Sequence, residues 1–192
     1  MKPAVFFDRD GTLNEEVGYI TDPARLRLLP GAADAVKRVR EAGWLSVVVT
    51  NQGGVGRGLM TEADVGRVNG RLTDLLAAEG AALDAIYYCP HHPEGAVESY
   101  RLDCDCRKPA PGLVKRAEAE LKIDLSRSVM IGDKVSDIGL AAAAGLKPVM
   151  VMTGFGPNEL PKVGAAGFTL SYLARDVLAA VQWALTPPKE AK

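Results

Sequence analysis

Three polar clusters each follow a short apolar run of this sequence, and their residue types could do chemistry on a phosphate ester. The clusters are Asp8-Arg9-Asp10-Gly11-Thr12, Thr50-Asn51-Gln52 and Gly132-Asp133-Lys134. Two carboxylates combined with backbone oxygens form a hard oxygen site of the kind that magnesium prefers. We therefore expect Asp8 and Asp133 to bind a magnesium ion, which would neutralise the phosphate and let an anionic nucleophile approach.

The residue types also indicate a role for each side chain. Asp8 is the candidate nucleophile, because attack by its carboxylate on phosphorus would form an aspartyl-phosphate. Asp10 could protonate the leaving oxygen and then activate water. Thr50 could donate its hydroxyl to the phosphoryl group, Lys108 could neutralise that group, and Gly11 fits a tight turn whose amides approach phosphate. Each aspartate alone could instead cap a helix or a turn, but three clusters at corresponding strand ends favour a site.

The elements that must position these clusters are short buried strands that alternate with helices. Strands are predicted over Ala4–Asp8, Trp44–Thr50, Ala85–Cys89, Val129–Asp133 and Pro148–Met152. Helices are predicted over Ala32–Ala42, Thr61–Glu79, Leu113–Leu121, Ser136–Ala144 and Ser171–Ala184. Thr61 and Asp64 have the spacing of a capping box. This alternation predicts an α/β fold, a Rossmann-like parallel sheet with helices on both faces, and the three clusters should converge at one edge of it.

Length, composition and charge are those of an ordinary globular domain. The chain has 192 residues, of which 47% are hydrophobic and 24% charged, and its formal net charge is −1. No basic excess indicates nucleic acid, and no polybasic block or long apolar run indicates a membrane. An acidic residue at position 8 comes too early for a signal peptide, so we expect a cytoplasmic protein. We expect a monomer with one domain over residues 1–192 and a frayed tail over residues 186–192.

Residues 90–108 form a long segment without helical or strand periodicity, and possible metal ligands flank it. These ligands are Cys89, His91, Cys104 and Cys106. Three thiolates and one imidazole make a closed structural zinc set, with no open position for water. We expect zinc to order this insertion, residues 89–108, because it has no apolar core of its own. One alternative is three reduced cysteines with two surface histidines, and another is His92 as the ligand in place of His91.

The polar clusters, together with Arg107-Lys108-Pro109 and Asp137, resemble the four motifs of the haloacid dehalogenase (HAD) superfamily and occur in the same order. The second aspartate, Asp10, distinguishes the phosphatases of this superfamily from its dehalogenases. The resemblance implies that the Asp10 backbone carbonyl also binds magnesium. Many members insert a cap domain after the first motif or between the second and third. Neither interval is long enough here, so we expect a HAD-type fold without a cap domain and with an open site.

The cysteine motifs narrow the resemblance to the HAD phosphatases that remove the C7 phosphate of a heptose bisphosphate in nucleotide-heptose synthesis for lipopolysaccharide. Residues 92–103, twelve in all, separate His91 from Cys104. This loop is longer than that of histidinol-phosphate phosphatases, which are the alternative enzymes with a similar zinc set. The resemblance also favours His91 over His92 as the zinc ligand. A third hypothesis, a zinc-ordered binding module with a dead active site, is disfavoured because all the catalytic residue types are present.

The resemblance further implies contacts with a sugar bisphosphate substrate. The matching positions are Glu16, Gly18, Tyr19, Thr50, Asn51, Gln52, Gly53, Arg107, Lys108 and Lys134. Arg107 matches the residue that recognises the remote phosphate, and Lys134 would contact metal or phosphate. Glu16 departs from the pattern, since an aspartate is usual at its position.

Overall fold

A six-stranded parallel sheet forms the centre of the protein in a computed structural model that describes residues 1–186. The strands are β1 (Ala4–Phe7), β2 (Leu45–Asn51), β3 (Ala85–Cys89), β4 (Val129–Gly132), β5 (Lys147–Val151) and β6 (Tyr172–Ala174). Their order across the sheet is β3-β2-β1-β4-β5-β6, and every neighbouring pair is parallel. The chain therefore winds outward in both directions from the adjacent strands β1 and β4.

Six helices cover the two faces of this sheet. They are α1 (Ala32–Glu41), α2 (Glu62–Ala78), α3 (Gly112–Leu121), α4 (Val135–Ala144), α5 (Gly156–Ala165) and α6 (Val177–Leu185). Successive strand residues point to opposite faces, so Val5 and Phe7 enter one apolar core whereas Ala4 and Phe6 enter the other. Helices α1, α2 and α6 contribute to the first core, and α3 and α4 contribute to the second. The predicted Rossmann-like α/β arrangement is confirmed.

The start of helix α2 shows how closely a local signal can fix an element. The Thr61 hydroxyl accepts a hydrogen bond from the Asp64 amide at 3.1 Å, and the Asp64 carboxylate accepts one from the Thr61 amide at 2.7 Å. These reciprocal bonds satisfy two amides that the first helical turn would leave unpaired. The capping box predicted from the spacing of these two residues is confirmed.

The prediction for the C-terminal part of the chain was wrong in two places. Ser171–Ala184 is not one helix, because Tyr172–Ala174 forms strand β6, and α6 begins after Asp176, whose carboxylate accepts from the Ala179 amide at 2.7 Å. A three-residue strand is too short to show alternation in a sequence. Helix α5 was missed because Gly and Pro obscure its period, although Pro157 lies in the first turn, where proline is tolerated.

No cap domain is inserted within residues 1–186. A loop with one short 3-10 turn, α1 and most of β2 fill the interval from Gly11 to Val49, and α2, β3 and the cysteine loop fill the interval from Thr50 to Lys108. Residues 187–192 of the predicted frayed tail lie outside the described residues. Among the helices of residues 1–186, none has the length and apolar character needed to cross a bilayer.

Candidate active site

The predicted polar clusters meet where β1 and β4 lie side by side. Asp8 follows β1, and its backbone amide donates to the carbonyl of Ile131 in β4 at 2.9 Å. Carboxylate oxygens of Asp8, Asp133 and Asp137 lie within 4.8 Å of one another, and all three residues are buried. The winding direction of the sheet reverses at this point, and open α/β sheets bind their ligands at such a reversal.

The three buried carboxylates repel one another. Burial and the neighbouring Asp8 carboxylate raise the pKa of Asp133 to about 7, and burial likewise raises the pKa of Asp137. At Asp8 the effect of burial is outweighed by the ammonium groups of Lys108 and Lys134, which hold its pKa at about 2. A divalent cation bound here would relieve the repulsion, and the hard oxygen donors fit magnesium.

Lys108 is buried between two of these carboxylates. Its Nζ lies 2.8 Å from Asp8 Oδ1 and 2.6 Å from Asp137 Oδ1, and it donates to the Val49 carbonyl at 3.0 Å. Asn51 holds the Lys108 backbone, donating to its carbonyl at 3.1 Å and accepting from its amide at 3.0 Å. Asp137 entered the sequence analysis only as part of the fourth motif. Its position four residues after Asp133, which places it in the first turn of α4, was the signal that it belongs to the site.

Lys134 reaches the carboxylates from the open side. Its Nζ lies 3.0 Å from Asp133 Oδ1, 3.6 Å from Asp8 Oδ2 and 3.3 Å from the Asp10 carbonyl. It also lies 3.3 Å from the Glu16 carboxylate. The three oxygen groups predicted to bind magnesium are the carboxylates of Asp8 and Asp133 and the carbonyl of Asp10. In this structure all three surround the ammonium group of Lys134.

Gln52 uses its side-chain amide within the protein. Its Nε2 donates to Asp10 Oδ2 at 2.9 Å and to Thr50 Oγ1 at 3.0 Å, while its Oε1 accepts from Arg9 at 3.0 Å. Because the Thr50 hydroxyl accepts the bond from Gln52, its own proton is available for a group in the cleft. Sequence reasoning gave Arg9 no role, and nothing in the spacing of these residues marked the contact.

An open cleft of about 330 Å³ lies above Asp8. The residues that line it are Asp8, Asp10, Glu16, Gly18, Tyr19, Thr50, Asn51, Gln52, Lys108, Lys134, Ser136 and Phe155. Ser136 and Phe155 were not predicted. Phe155 belongs to the β5–α5 loop; its amide donates to Asp133 Oδ2 at 2.8 Å, and its ring centroid lies 5.1 Å from Lys134 Nζ.

Four residues that the sequence analysis assigned to the site do not line the cleft: Gly11, Gly53, Arg107 and Asp133. Asp133 is fully buried below the cleft, and a Cβ on Gly11, whose φ is +83°, would collide with its carboxylate, so only glycine fits there. Arg107 donates to the His91 carbonyl at 3.1 Å. It lies next to Gly53, where an added Cβ would be 3.0 Å from Arg107 Nη1.

The four predicted zinc ligands form a second cluster. Cys104 Sγ lies 3.5 Å from Cys89 Sγ and 3.3 Å from Cys106 Sγ, and His91 Nδ1 lies 3.7 Å and 3.3 Å from the sulfurs of Cys89 and Cys106. Ligand atoms placed tetrahedrally at zinc distances are separated by about 3.3–3.8 Å, so the set fits zinc. Burial raises the pKa of Cys89 to about 11, and a cation would favour its thiolate. His92 Nε2 lies instead 2.9 Å from Arg57 Nη2.

A parallel sheet with paired aspartates at its central strand ends, a buried lysine and an uncapped cleft defines a phosphatase of the haloacid dehalogenase type. A family model described as HAD-hydrolase-like matches residues 105–180. The crystal structure of D,D-heptose 1,7-bisphosphate phosphatase from B. bronchiseptica, complexed with magnesium and phosphate, is similar with a TM-score of 0.83. It is 32% identical and the match covers 96% of this chain and 98% of that one.

Curated relatives identify the branch of this superfamily. D-glycero-D-manno-heptose-1,7-bisphosphate 7-phosphatase of Thermosynechococcus vestitus is 45% identical in an alignment of 189 positions, and the match covers 96% of each chain. D-glycero-beta-D-manno-heptose-1,7-bisphosphate 7-phosphatase of Escherichia coli (strain K12) is 43% identical over 173 residues, which is 90% of each chain. The chain belongs to the heptose-1,7-bisphosphate 7-phosphatase family.

Proposed function

We propose that this chain hydrolyses the C7 phosphate of D-glycero-D-manno-heptose 1,7-bisphosphate and leaves heptose 1-phosphate, a step of nucleotide-heptose synthesis for the lipopolysaccharide core. The observation that carries the chemistry is the position of Asp8. Its buried carboxylate lies at the floor of an open cleft, and Lys108 and Lys134 favour its ionised form. The names of relatives at 43–45% identity support the substrate.

The reaction would proceed in two steps on the side chains of this cleft. In the first, a carboxylate oxygen of Asp8 bonds to phosphorus as the bond from phosphorus to the C7 oxygen breaks, and Asp10 protonates that oxygen. In the second, water attacks phosphorus, Asp10 takes its proton, and the bond from Asp8 breaks to release inorganic phosphate. The Thr50 hydroxyl and the Lys108 ammonium stabilise the negative charge on the phosphoryl oxygens.

The carboxylates of Asp8 and Asp133 and the backbone carbonyl of Asp10 would hold magnesium. The ion supplies charge neutralisation at the phosphate when it is bound. The convergence of these three oxygen groups on the Lys134 ammonium supports this assignment, as does the relative crystallised with magnesium and phosphate. Lys134 adds a second positive charge beside the reacting phosphate.

A structural zinc ion would be bound by the second cluster, which consists of Cys89, His91, Cys104 and Cys106. The distances between the four donor atoms support this role, and a closed set of this kind has no position for a reacting water. Arg107 and Lys108 follow the last ligand directly in the chain. Zinc would therefore fix the start of the segment that places both cations. Thiolate ligands must stay reduced, which agrees with a cytoplasmic protein.

Substrate recognition would come from the cleft lining, because no cap domain covers it within residues 1–186. Glu16, Gly18 and Tyr19 line one part of the cleft, and Thr50, Asn51 and Gln52 line another. Gly53 follows them in the chain, just outside the lining. We assign the C1 phosphate to Arg107, whose place beside Gly53 and outside the cleft lining suits a phosphate far from Asp8. The whole chain, residues 1–192, would act as a single-domain monomer.

A substrate panel tests this function. The panel contains both anomers of heptose 1,7-bisphosphate, histidinol phosphate and a generic phosphate ester. We expect the highest kcat/KM for a heptose bisphosphate, and phosphorus NMR should show loss of the C7 phosphate with the C1 phosphate retained. A higher kcat/KM for histidinol phosphate would overturn the substrate assignment. Inactivity on every ester would favour the alternative that this chain is a zinc-ordered binding module with a dead active site.

A further inference from the structure

Arg9 is only 1% exposed, although its guanidinium always carries a positive charge. It is the largest fully buried side chain within residues 1–186. A buried charge is tolerated when it is paired and hydrogen-bonded, and removal of its partner is costly. The groups that pair with Arg9 therefore indicate what this side chain does.

All three guanidinium nitrogens of Arg9 have hydrogen-bond partners, two of which, Asp10 and Gln52, line the cleft. Nε donates to Asp10 Oδ1 at 3.2 Å and Nη2 donates to Asp10 Oδ2 at 2.9 Å, which makes a bidentate fork. Nη2 also donates to Gln52 Oε1 at 3.0 Å, and Nη1 donates to Asn69 Oδ1 at 2.9 Å. Asn69 lies in the middle of α2, between Val68 and Leu72 of the apolar core, so the fork is anchored to a packed helix.

Both oxygens of the Asp10 carboxylate receive further donors. Asn14 Nδ2 donates to Oδ1 at 2.9 Å, and Gln52 Nε2 donates to Oδ2 at 2.9 Å. The planar fork and these two amides fix the carboxylate against rotation. Even so, the Asp10 side chain remains 14% exposed and lines the cleft. Asp10 is thus held from its buried side and presented to the reacting groups on its open side.

We propose that Arg9, Gln52 and Asn69 form a positioning unit, the Arg9 clamp, which holds the Asp10 carboxylate where it exchanges protons with the leaving oxygen and with water. This inference rests on the acid–base role proposed for Asp10. No cap domain closes over the cleft within residues 1–186, so a lid does not set the position of Asp10. The clamp sets it from below, with α2 as the fixed point.

An aryl phosphate separates the two steps in which Asp10 acts. The p-nitrophenolate of p-nitrophenyl phosphate leaves without needing a proton, so formation of the Asp8–phosphorus bond does not require Asp10. Hydrolysis of the Asp8–phosphorus bond by water does require Asp10, which takes the proton of the water. Stopped-flow release of p-nitrophenolate then measures the first step as a burst and the second as the steady rate. An alkyl phosphate requires Asp10 in both steps.

Two variants loosen the clamp to different degrees. Asn69→Ala cuts the anchor on α2 without touching Asp10, and Arg9→Met removes the fork. We expect steady rates on p-nitrophenyl phosphate to fall about tenfold for Asn69→Ala, which loosens the clamp, and about a hundredfold for Arg9→Met, which reaches the lower end of the roughly 10²–10⁴-fold contribution of acid–base catalysis. The burst rate should change less than about threefold, since its step needs no proton transfer. On glycerol phosphate, the first turnover should slow as well. On p-nitrophenyl phosphate, KM should fall in parallel with the steady rate and kcat/KM should be unchanged, because slower breakdown of the intermediate lowers kcat and KM together.

Thr73→Val is the matched control, because Thr73 donates to the Asn69 carbonyl at 3.1 Å on the same helix but has no part in the clamp. It should leave both phases unchanged. Asp10→Asn should show the same step-selective loss, larger in size. If it does, and Asn69→Ala and Arg9→Met slow both phases equally or neither, the clamp is refuted while the role of Asp10 stands. If Asp10→Asn lacks that selectivity, the acid–base proposal itself fails. If the burst amplitude of Arg9→Met falls in proportion to the loss of thermal stability, the role of Arg9 is only structural, and this result also refutes the clamp.

Discussion

The ammonium nitrogen of Lys108 lies 2.6 Å from a carboxylate oxygen of Asp137, and the two side chains are 2% and 0% exposed. The same nitrogen lies 2.8 Å from Asp8. Burial opposes the charge of Lys108, but Asp137 and Asp8 outweigh it and raise the pKa of this lysine. Asp137 therefore keeps Lys108 charged and beside the proposed nucleophile.

Replacement of Asp137 by asparagine should destabilise the protein and slow its turnover. Loss of one partner of a buried ion pair typically costs about 3–5 kcal/mol, and we expect the lower end because Asp8 still pairs with Lys108. Urea denaturation measures the change. Asp34→Asn removes an exposed pair with Lys37 and should leave the urea midpoint unchanged. Equal midpoints for the two variants would show that Asp137 does not stabilise Lys108.

Asp8→Asn should abolish turnover and leave the fold intact. The amide is nearly isosteric with the carboxylate but cannot attack phosphorus, and it weakens one proposed magnesium ligand. Circular dichroism and steady-state assays on the purified variant check both parts of the prediction. Activity above a few per cent of the parent rate would rule out Asp8 as the nucleophile.

The cysteine cluster should hold one zinc ion per chain, separate from exchangeable magnesium. Cys104→Ser should lose this zinc, and activity should fall because Arg107 and Lys108 are no longer held in place. Metal analysis of protein purified without chelator provides the measurement. His92→Ala is the control and should retain zinc, because His92 contacts Arg57 outside the cluster. A zinc-free Cys104→Ser protein with full activity would refute the structural link.

Arg107 and Lys108 are adjacent in the chain but should respond differently to the substrate. Arg107→Ala should sharply lower kcat/KM for heptose 1,7-bisphosphate, because remote binding energy helps to position the reacting centre. It should matter much less for a monophosphate that lacks the C1 group. Lys108→Ala should impair both substrates alike. Equal losses from Arg107→Ala on the two substrates would show that Arg107 does not bind the remote phosphate.

Much of the site could be predicted from the sequence because its signals are local. Asp8 and Asp133 each follow a buried apolar run, and the topology of parallel strands brings such ends together. The four zinc ligands lie in two short motifs on either side of one loop. The capping box at Thr61 joins residues three positions apart, so its pattern is also visible without a structure.

The parts that could not be predicted depend on packing between distant segments. The bond from Arg9 to Asn69 joins residues 60 positions apart, and neither residue type indicates such a partner. The Phe155 amide reaches Asp133 from a loop next to a helix whose glycines and prolines hid its period. Strand β6 has three residues and pairs with the neighbouring strand β5, so its structure comes from that strand rather than from its own pattern.

Rapid quenching decides whether Asp8 carries the phosphoryl group. Asp10→Asn protein is mixed with p-nitrophenyl phosphate labelled in its phosphate, quenched in acid and digested. Because the first step needs no proton for this substrate and the second step needs Asp10, label should accumulate on the protein, up to one phosphate per chain. It should map to the peptide that contains Asp8. Label found only as inorganic phosphate, or on a different residue, would contradict a mechanism through Asp8.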